Sequence, residues 1–178
     1  MKRFLCLVAL ALVFSLSGKA QRDATDVVYT DDQMPAFTVV SDDGTETPSA
    51  RFSGKVILIN FFATWCPPCQ AELAEVEKTL WPRFGREPDF VLLVIGREHS
   101  DAELTAYNAK KGFSFPLYPD KNRQIFASFA TQSIPRSYLI DRDGKILHVA
   151  TGYEPAEFKR ILRMIDNALT APASISVP

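Results

Sequence analysis

Apolar residues along the chain fall into two patterns, continuous runs and helical stripes. Nearly continuous runs over Val56–Phe62 and over residues 90–95 predict strands that are buried on both faces of a sheet. Between them the apolar positions recur at helical spacing, at Leu73, Val76, Leu80 and Trp81. A buried strand, a helix and a second buried strand predict the start of an α/β domain.

The second half of the chain continues the alternation. Ser100 and Glu103 form a capping box for a helix that ends at Gly112. A short helix is predicted over residues 121–130 with Asp120 as its cap. A turn over residues 141–144 joins two strands in an antiparallel hairpin. The last helix has one apolar stripe, formed by Phe158, Ile161, Leu162, Ile165 and Leu169.

The two ends of the chain differ from this central part. Residues 36–40 and the turn at 42–44 predict an N-terminal hairpin. Residues 21–33 are polar and acidic, and residues 171–178 have no apolar period, so both are predicted to be flexible. One folded domain is therefore expected over residues 34–170.

The first twenty residues are typical of a signal peptide. Lys2 and Arg3 precede an apolar run, and small residues end at Ala20, where cleavage is expected. The apolar run is shorter than the ~20 residues that span a bilayer, so an uncleaved membrane anchor is the weaker alternative. Cys6 leaves with the signal. The mature protein is therefore expected to be exported, periplasmic and not associated with the membrane.

Composition narrows the classes of function. Without residues 1–20 the chain keeps 158 residues, with 17 Lys and Arg against 21 Asp and Glu, a net charge of −4. An acidic chain has no basic surface for nucleic acid, so no nucleic-acid partner is expected. The length suits one domain with a full hydrophobic core, which needs no disulfide framework. The two remaining cysteines therefore call for another explanation.

Cys66 and Cys69 stand where the first buried strand gives way to a helix. A cysteine at a helix N-terminus faces free backbone amides and the positive end of the helix dipole, which favour the thiolate. Cys66 is therefore predicted to be the nucleophile, and Cys69 the thiol that resolves a mixed disulfide. A purely structural disulfide is the alternative, and its position at a helix start argues against it.

Pro67 and Pro68 separate the two cysteines. Both fit the first turn of a helix, but neither has an N–H that could hydrogen-bond to the Cys66 sulfur. The sequence therefore predicts only moderate acidification of Cys66 and a reducing pair.

The stretch Asn60–Phe61–Phe62–Ala63–Thr64–Trp65–Cys66–Pro67–Pro68–Cys69, followed by Glu72, resembles the active site of the TlpA and ResA group of exported thioredoxin-like proteins. The Ile134–Pro135 step resembles the cis-proline loop of thioredoxins, and residues 138–146 resemble the hairpin after it. The resemblance implies a thioredoxin-like α/β fold, with a mixed central sheet, flanking helices, an N-terminal β-hairpin and a central helical insertion around residues 121–130.

The resemblance also implies roles for single residues. Cys66 and Cys69 would form the redox-active disulfide, and Pro135 would present backbone to a bound client. Ile134 and Trp65 would belong to the client-facing surface. Glu72 would take up the Cys69 proton, or else would be an exposed acid that complements the helix dipole.

Two positions depart from thioredoxin itself. Asn60 stands where thioredoxin has a buried aspartate, and an amide cannot relay protons. Arg136 stands where threonine usually follows the cis proline. Arg136 would either add positive charge near the disulfide and help to bind acidic clients, or point into solvent.

Metal and haem sites fit the sequence less well. A structural zinc site needs four ligands, and the mature chain has two cysteines with His99 and His148 far apart. Haem attachment needs histidine after the second cysteine, where this chain has Gln70. The main alternative to an enzyme is a copper carrier of the same fold, although such proteins resemble a pair with one more residue between the cysteines. Both histidines are assigned surface or packing roles.

The sequence thus predicts a thiol-disulfide oxidoreductase that reduces disulfides of client proteins without a bound cofactor or metal. An exported reductant must be recharged, so the resemblance also implies a membrane electron donor.

Overall fold

The computed structural model describes residues 24–171. The predicted signal peptide over residues 1–20, including Cys6, lies outside this range, and so does the predicted flexible tail after Ala171.

The described chain alternates strands and helices. Its strands are β1 Thr38–Val40, β2 Glu46–Pro48, β3 Val56–Phe62, β4 Phe90–Arg97, β5 Leu117–Asp120, β6 Arg136–Ile140 and β7 Ile146–Thr151. Its α-helices are α1 Pro67–Glu75, α2 Trp81–Phe84, α3 Asp101–Lys111, α4 Gln124–Phe129 and α5 Pro155–Thr170.

Five strands form the central sheet, in the order β5-β4-β3-β6-β7. β4 is parallel to β3 and to β5, whereas β6 is antiparallel to β3 and to β7. All seven residues of β3 are buried, as expected for a central strand that is covered on both faces. β1 and β2 form the predicted N-terminal hairpin as a separate antiparallel pair. The predicted mixed sheet is confirmed.

The sheet has a hydrophobic core on each face. Val56, Leu58 and Phe62 of β3 belong to the core that contains the inner residues of α1 and α5. Ile57, Ile59 and Phe61 belong to the opposite core, which contains α4 and Val39 of the hairpin. The alternation along one strand thus separates a face that carries α1, and with it the cysteines, from a face that carries α4.

α1 continues into α2 through a wider π-helical turn, Val76–Leu80. The amide of Trp81 donates to the carbonyl of Val76, five residues earlier. Pro82 accounts for the widening, because its nitrogen has no hydrogen to donate and its ring clashes with the carbonyl four residues earlier. The apolar stripe stays inside, since Val76 and Leu80 are both buried.

Three details after α3 differ from the prediction. β5 lies in a stretch for which the sequence predicted no strand, and α4 begins at Gln124 rather than at residue 121. Asp120 is not the N-cap residue of α4, which is Arg123, but its carboxylate accepts hydrogen bonds from the amides of Ile125 and Phe126 in the first turn at 3.1 and 2.8 Å.

The N-terminal segment is packed against the domain, so the prediction of a flexible segment over residues 21–33 is wrong for residues 24–33. Asp26 bridges to Ala130, and Gln33 bridges to Lys145. The amide of Val27 also donates to the Phe129 carbonyl at 2.9 Å. Two of its acids pair with basic groups of the domain, Asp26 with Arg136 and Asp31 with Lys145.

Candidate active site

Cys66 and Cys69 form a disulfide at the junction of β3 and α1, with their Cα atoms 5.3 Å apart. β3 ends at Phe62, and Cys66 has extended backbone as the N-cap of α1. Cys69 is fully buried, whereas Cys66 keeps 4% of its surface exposed. Of the two cysteines, only Cys66 therefore has exposed surface that an incoming sulfur can reach.

The Cys66 sulfur accepts a hydrogen bond from the Cys69 amide, at 3.3 Å. In an ordinary helix the N-cap side chain can accept from the second or the third helical amide. Here Pro68 holds the second position, so the Cys69 amide is what remains. The N-cap sulfur of Cys66 thus accepts from the third helical amide, and the two prolines before it supply no N–H.

The loop before β6 lies against the disulfide. The Ile134–Pro135 peptide bond is cis, as the resemblance implies. The carbonyl oxygen of Ile134 is 3.9 Å from the Cys66 sulfur, and Pro135 is buried. The Gly152 amide donates to the Pro135 carbonyl at 2.8 Å, which ties this loop to the end of β7.

Glu72 lies one helical turn after Cys69 on α1, and its side chain is 5% exposed. Its Oε1 accepts a hydrogen bond from the Ser137 hydroxyl at 3.1 Å, and that hydroxyl accepts one from the Asn60 amide at 2.9 Å. Burial raises the pKa of Glu72 from an ordinary 4.5 to about 7, against the opposing effect of the nearby Asn60 amide and Ser137 hydroxyl. The exposed-acid alternative for Glu72 is therefore wrong.

Ser137 was missed by the sequence reasoning. It lies on the β6 register opposite Asn60, and it is buried. A serine after an arginine in a strand gives no signal of its own. Only the register of β6 against β3 brings its hydroxyl to Glu72.

Arg136 is fully buried, so the interpretation that it points into solvent is wrong, and its buried pairing with Asp26 leaves its charge unavailable to acidic clients. Its side chain is fully buried and paired with Asp26, whose side chain is only 7% exposed. Its guanidinium also donates to the Thr25 hydroxyl at 2.6 Å and to the Gln132 carbonyl at 3.2 Å. Because successive residues of a strand point to opposite faces, Arg136 lies opposite Ser137, on the face away from α1.

Trp65 is 63% exposed beside the buried cysteines, which is unusual for so large an apolar side chain. The guanidinium of Arg97 lies 5.8 Å from the centre of its ring. Pro67 and Pro68 are exposed next to it, and Ile134 is half-buried across the disulfide. These four side chains form an apolar rim around the one exposed edge of Cys66.

Residues 24–171 contain neither a metal-binding cluster nor a membrane-spanning helix. No group of three or more His, Cys, Asp or Glu side chains within this range is arranged to hold a metal ion. None of the helices in the same range has the length and apolarity to cross a bilayer.

A cystine that caps a helix at the end of a central strand, faced by a cis-proline loop, defines the thiol-disulfide oxidoreductases of thioredoxin-like fold. The family model described as Redoxin matches residues 30–165. The chain belongs to the Redoxin family.

Curated relatives agree with this class. The thiol-disulfide oxidoreductase ResA of Bacillus anthracis is 27% identical over 125 residues, which cover 70% of this chain and 71% of that protein. ResA of Geobacillus thermodenitrificans is 29% identical over 119 residues, covering 66% of this chain and 67% of the relative.

Solved structures give the same fold. The solution structure of a candidate protein disulfide isomerase from Bacteroides thetaiotaomicron superposes with a TM-score of 0.79 at 31% identity, covering 83% of this chain and 94% of that one. The crystal structure of a thiol:disulfide interchange protein from Chlorobium tepidum gives a TM-score of 0.62 at 27% identity, covering 80% and 99%. The protein is a thiol-disulfide oxidoreductase, and its substrates are cysteine-containing.

Proposed function

We propose that this oxidoreductase works as a reductant of disulfides in client proteins outside the cytoplasm. The observation that carries the direction is the environment of the Cys66 sulfur, which accepts one amide hydrogen bond, from Cys69, where two prolines remove other donors. A weakly stabilised thiolate leaves the disulfide form of the pair favoured, so the dithiol gives up its electrons readily.

In the reductive direction the Cys66 thiolate attacks one sulfur of a client disulfide. A bond forms between the Cys66 sulfur and that client sulfur, and the other client sulfur leaves as a thiolate and takes up a proton. Cys69 then loses its proton and attacks the Cys66 sulfur, which releases the second client sulfur as a thiolate. The client has gained two electrons, and the Cys66–Cys69 disulfide has formed.

Glu72 supplies the base for the second step. Its carboxyl has a pKa of about 7 and lies on the same helix as Cys69, so near neutral pH it can both accept and release a proton. Its Oε2 is buried and has no hydrogen-bond partner within the described residues, so an acceptor remains available. Asn60 cannot ionise. Its side-chain amide donates to the Ser137 hydroxyl, which in turn donates to Glu72.

The client is held by the apolar rim and by backbone. Trp65 offers an exposed ring for packing, and the Ile134–Pro135 step lies beside the sulfur that the client must reach. An extended client segment placed along this step brings its cysteine to the exposed edge of Cys66.

Export and recharging complete the proposal. The N-terminal twenty residues supply the export signal, and the mature chain begins near Gln21 in the periplasm. Cysteines in that compartment tend toward the disulfide, so a membrane electron donor must return two electrons to Cys66 and Cys69. Mass spectrometry of the protein from extracytoplasmic fractions is expected to find Gln21 as its first residue; a chain that starts at Met1 would contradict export by cleavage.

Trapping of the mixed disulfide tests the assignment of the two cysteines. The Cys69→Ser variant, reduced and mixed with a disulfide-containing protein such as insulin, is expected to accumulate a covalent complex through Cys66. The Cys66→Ser variant is expected to form none. Equal trapping by both variants would contradict the separate roles of nucleophile and resolving thiol.

Metal analysis and thiol counting on the purified protein test the carrier alternative. Copper bound at the cysteine pair, with both thiols protected, would favour it.

A further inference from the structure

Side chains bind the backbone of Thr64 on both of its sides: His99 holds the peptide group before it and Gln70 the peptide group after it. The Thr64 N–H donates to Nε2 of His99 at 3.0 Å, and its carbonyl oxygen accepts from the side-chain amide of Gln70 at 2.8 Å. Gln70 is itself held, because its Oε1 accepts from the Lys111 ammonium at 3.1 Å. His99 and Gln70 come from opposite sides of the loop, one from the end of β4 and the other from α1.

Thr64 lies two residues before the nucleophile. The Cys66 amide donates to the Ala63 carbonyl at 3.2 Å, so residues 63–66 form one tight turn. A peptide fixed within this turn fixes the position of the Cys66 sulfur relative to the Ile134 carbonyl. Loosening of the Thr64 peptide would therefore change the approach of Cys66 to a client sulfur without removing any group that reacts.

His99 is held firmly in place. Its side chain is 6% exposed, and its own amide donates to the Gly96 carbonyl at 3.1 Å. A side-chain carbon at Gly96 would lie 3.2 Å from the β-carbon of His99 and 2.7 Å from Leu104. A side chain at position 96 would therefore crowd His99 and require it to shift by a few tenths of an ångström.

The hydrogen bond from Thr64 requires a neutral ring. Nε2 accepts, so the ring proton lies on Nδ1, which is buried and has no hydrogen-bond partner within the described residues. A proton on Nε2 would make this nitrogen a donor that faces the Thr64 N–H donor, and the hydrogen bond would be lost.

Burial has the largest effect on the pKa of His99. Burial lowers the pKa of His99 from an ordinary 6.5, and Arg97 lowers it further, whereas Glu103 of α3 and the neighbouring Glu98 raise it. Lys121 lies close enough to lower the pKa of Glu103. The net direction keeps the ring neutral at neutral pH and lets it take up a proton in acid.

We propose that His99 is a positioning residue for Cys66: its neutral ring holds the Thr64 peptide, and protonation of the ring releases it and slows thiol-disulfide exchange. The inference rests on exchange at Cys66, which the family shares, and not on the reductive direction or the compartment.

The test uses two substitutions of His99 in the full chain. Glutamine keeps an oxygen that can accept from the Thr64 N–H but does not titrate, and leucine removes the acceptor. His148→Gln is the matched control, because His148 lies on β7 and contacts Glu157 instead. All proteins in this test, including the parent, carry Glu72→Gln, which removes the titration of that carboxyl. The rate constant of the reduced protein with 5,5′-dithiobis(2-nitrobenzoate) is measured from about pH 4 to about pH 8, a range that extends well below the ordinary histidine pKa because burial lowers the pKa of His99.

Each rate is divided by that of the parent at the same pH, so that the titration of Cys66 itself cancels. At pH ~8 the leucine variant is expected to react roughly tenfold more slowly than the parent, since a hydrogen bond to a half-buried amide is lost. The glutamine variant is expected to match the parent there. As the pH falls through the lowered pKa of His99, the parent loses its own hydrogen bond from Thr64, so the leucine ratio is expected to approach one and the glutamine ratio to rise above one.

A leucine ratio of one at high pH, or ratios that do not change with pH, would overturn the role of His99. A glutamine variant as slow as the leucine variant at high pH would overturn it as well. If leucine prevents folding, the pH dependence of the glutamine ratio decides alone. A parent that does not react at all would instead contradict exchange at Cys66, so the two failures are distinguishable.

Discussion

At the scale of single residues, the sequence reveals some of the groups around the disulfide and not others. Cys66, Cys69 and the two prolines are recognisable from their order at a predicted strand-to-helix junction. Glu72 is recognisable as a residue near the pair, but its burial is not. The surroundings of Arg136 and Ser137 are not recognisable, because the sequence does not say which face of β6 meets α1.

Replacement of Glu72 by glutamine tests its burial. Between pH 4.5 and about 7 the carboxyl is protonated in the folded protein and ionised in the unfolded chain, so stability present below pH 4.5 is lost as the pH rises through about 7. Glu72→Gln cannot ionise. We therefore expect the oxidised variant to be about 3 kcal/mol more stable than the wild type at pH ~8 and about equally stable at pH ~4.

Urea unfolding at the two pH values measures this difference. Glu75→Gln, on the same helix but only half-buried, is the matched control and is expected to show no comparable gain. An equal gain for Glu72→Gln at both pH values would show that the carboxyl does not carry the raised pKa.

Replacement of Pro68 by alanine tests the effect of the missing amide. Alanine restores an N–H at the second helical position, which an N-cap side chain can accept. We expect the pKa of Cys66 to fall by about one unit and the potential of the pair to become about 30 mV less negative. Thiolate absorbance against pH measures the first. Pro155→Ala, at the start of α5, is the control, and an unchanged Cys66 pKa would remove the argument for a reducing pair.

At the scale of elements, the segment of residues 24–33 behaves as part of the domain. Its polar composition predicted flexibility, but composition does not reveal that Asp26 has a buried partner. Asp26 joins Arg136, and it also accepts a hydrogen bond from the Tyr138 hydroxyl at 3.3 Å. The segment thereby holds the residue that follows the cis proline.

Removal of the Asp26 carboxylate is expected to destabilise the protein strongly. Asp26→Ala removes the buried carboxylate that pairs with the Arg136 guanidinium, and breaking a buried ion pair costs about 3–5 kcal/mol. Asp31→Ala removes an acid of the same segment whose partner, Lys145, is exposed, and is expected to cost less than about 1 kcal/mol. Chemical unfolding of both variants gives the comparison, and similar losses would contradict the buried ion pair.

The helical elements show the same limit of sequence reasoning. The stripe at Leu73, Val76 and Leu80 predicts a buried helix face correctly, since burial follows spacing. The π-helical turn within it depends on Pro82, whose effect on the backbone is visible only once the chain around it is helical. β5 is short, its first three residues are only half-buried, and it contains Pro119, so its sequence does not resemble a strand.

At the scale of the whole molecule, the alternation of buried strands and helices was enough to predict the α/β class, and the resemblance to the TlpA and ResA group implied the mixed sheet. Strand order was not predictable from alternation alone, since it depends on which strands pair. That order places β3 between β4 and β6, and so brings the end of β3, the start of α1 and the loop before β6 together around one sulfur. The active site is a product of the topology.

The reduction potential of the Cys66–Cys69 pair tests the central claim most directly. Equilibration of the protein with glutathione or dithiothreitol buffers, followed by thiol alkylation and mass spectrometry, gives this value. A poorly stabilised Cys66 thiolate predicts a potential near that of thioredoxin, about −270 mV. A value near about −120 mV, typical of strongly oxidising pairs, would contradict a reductive role for this protein.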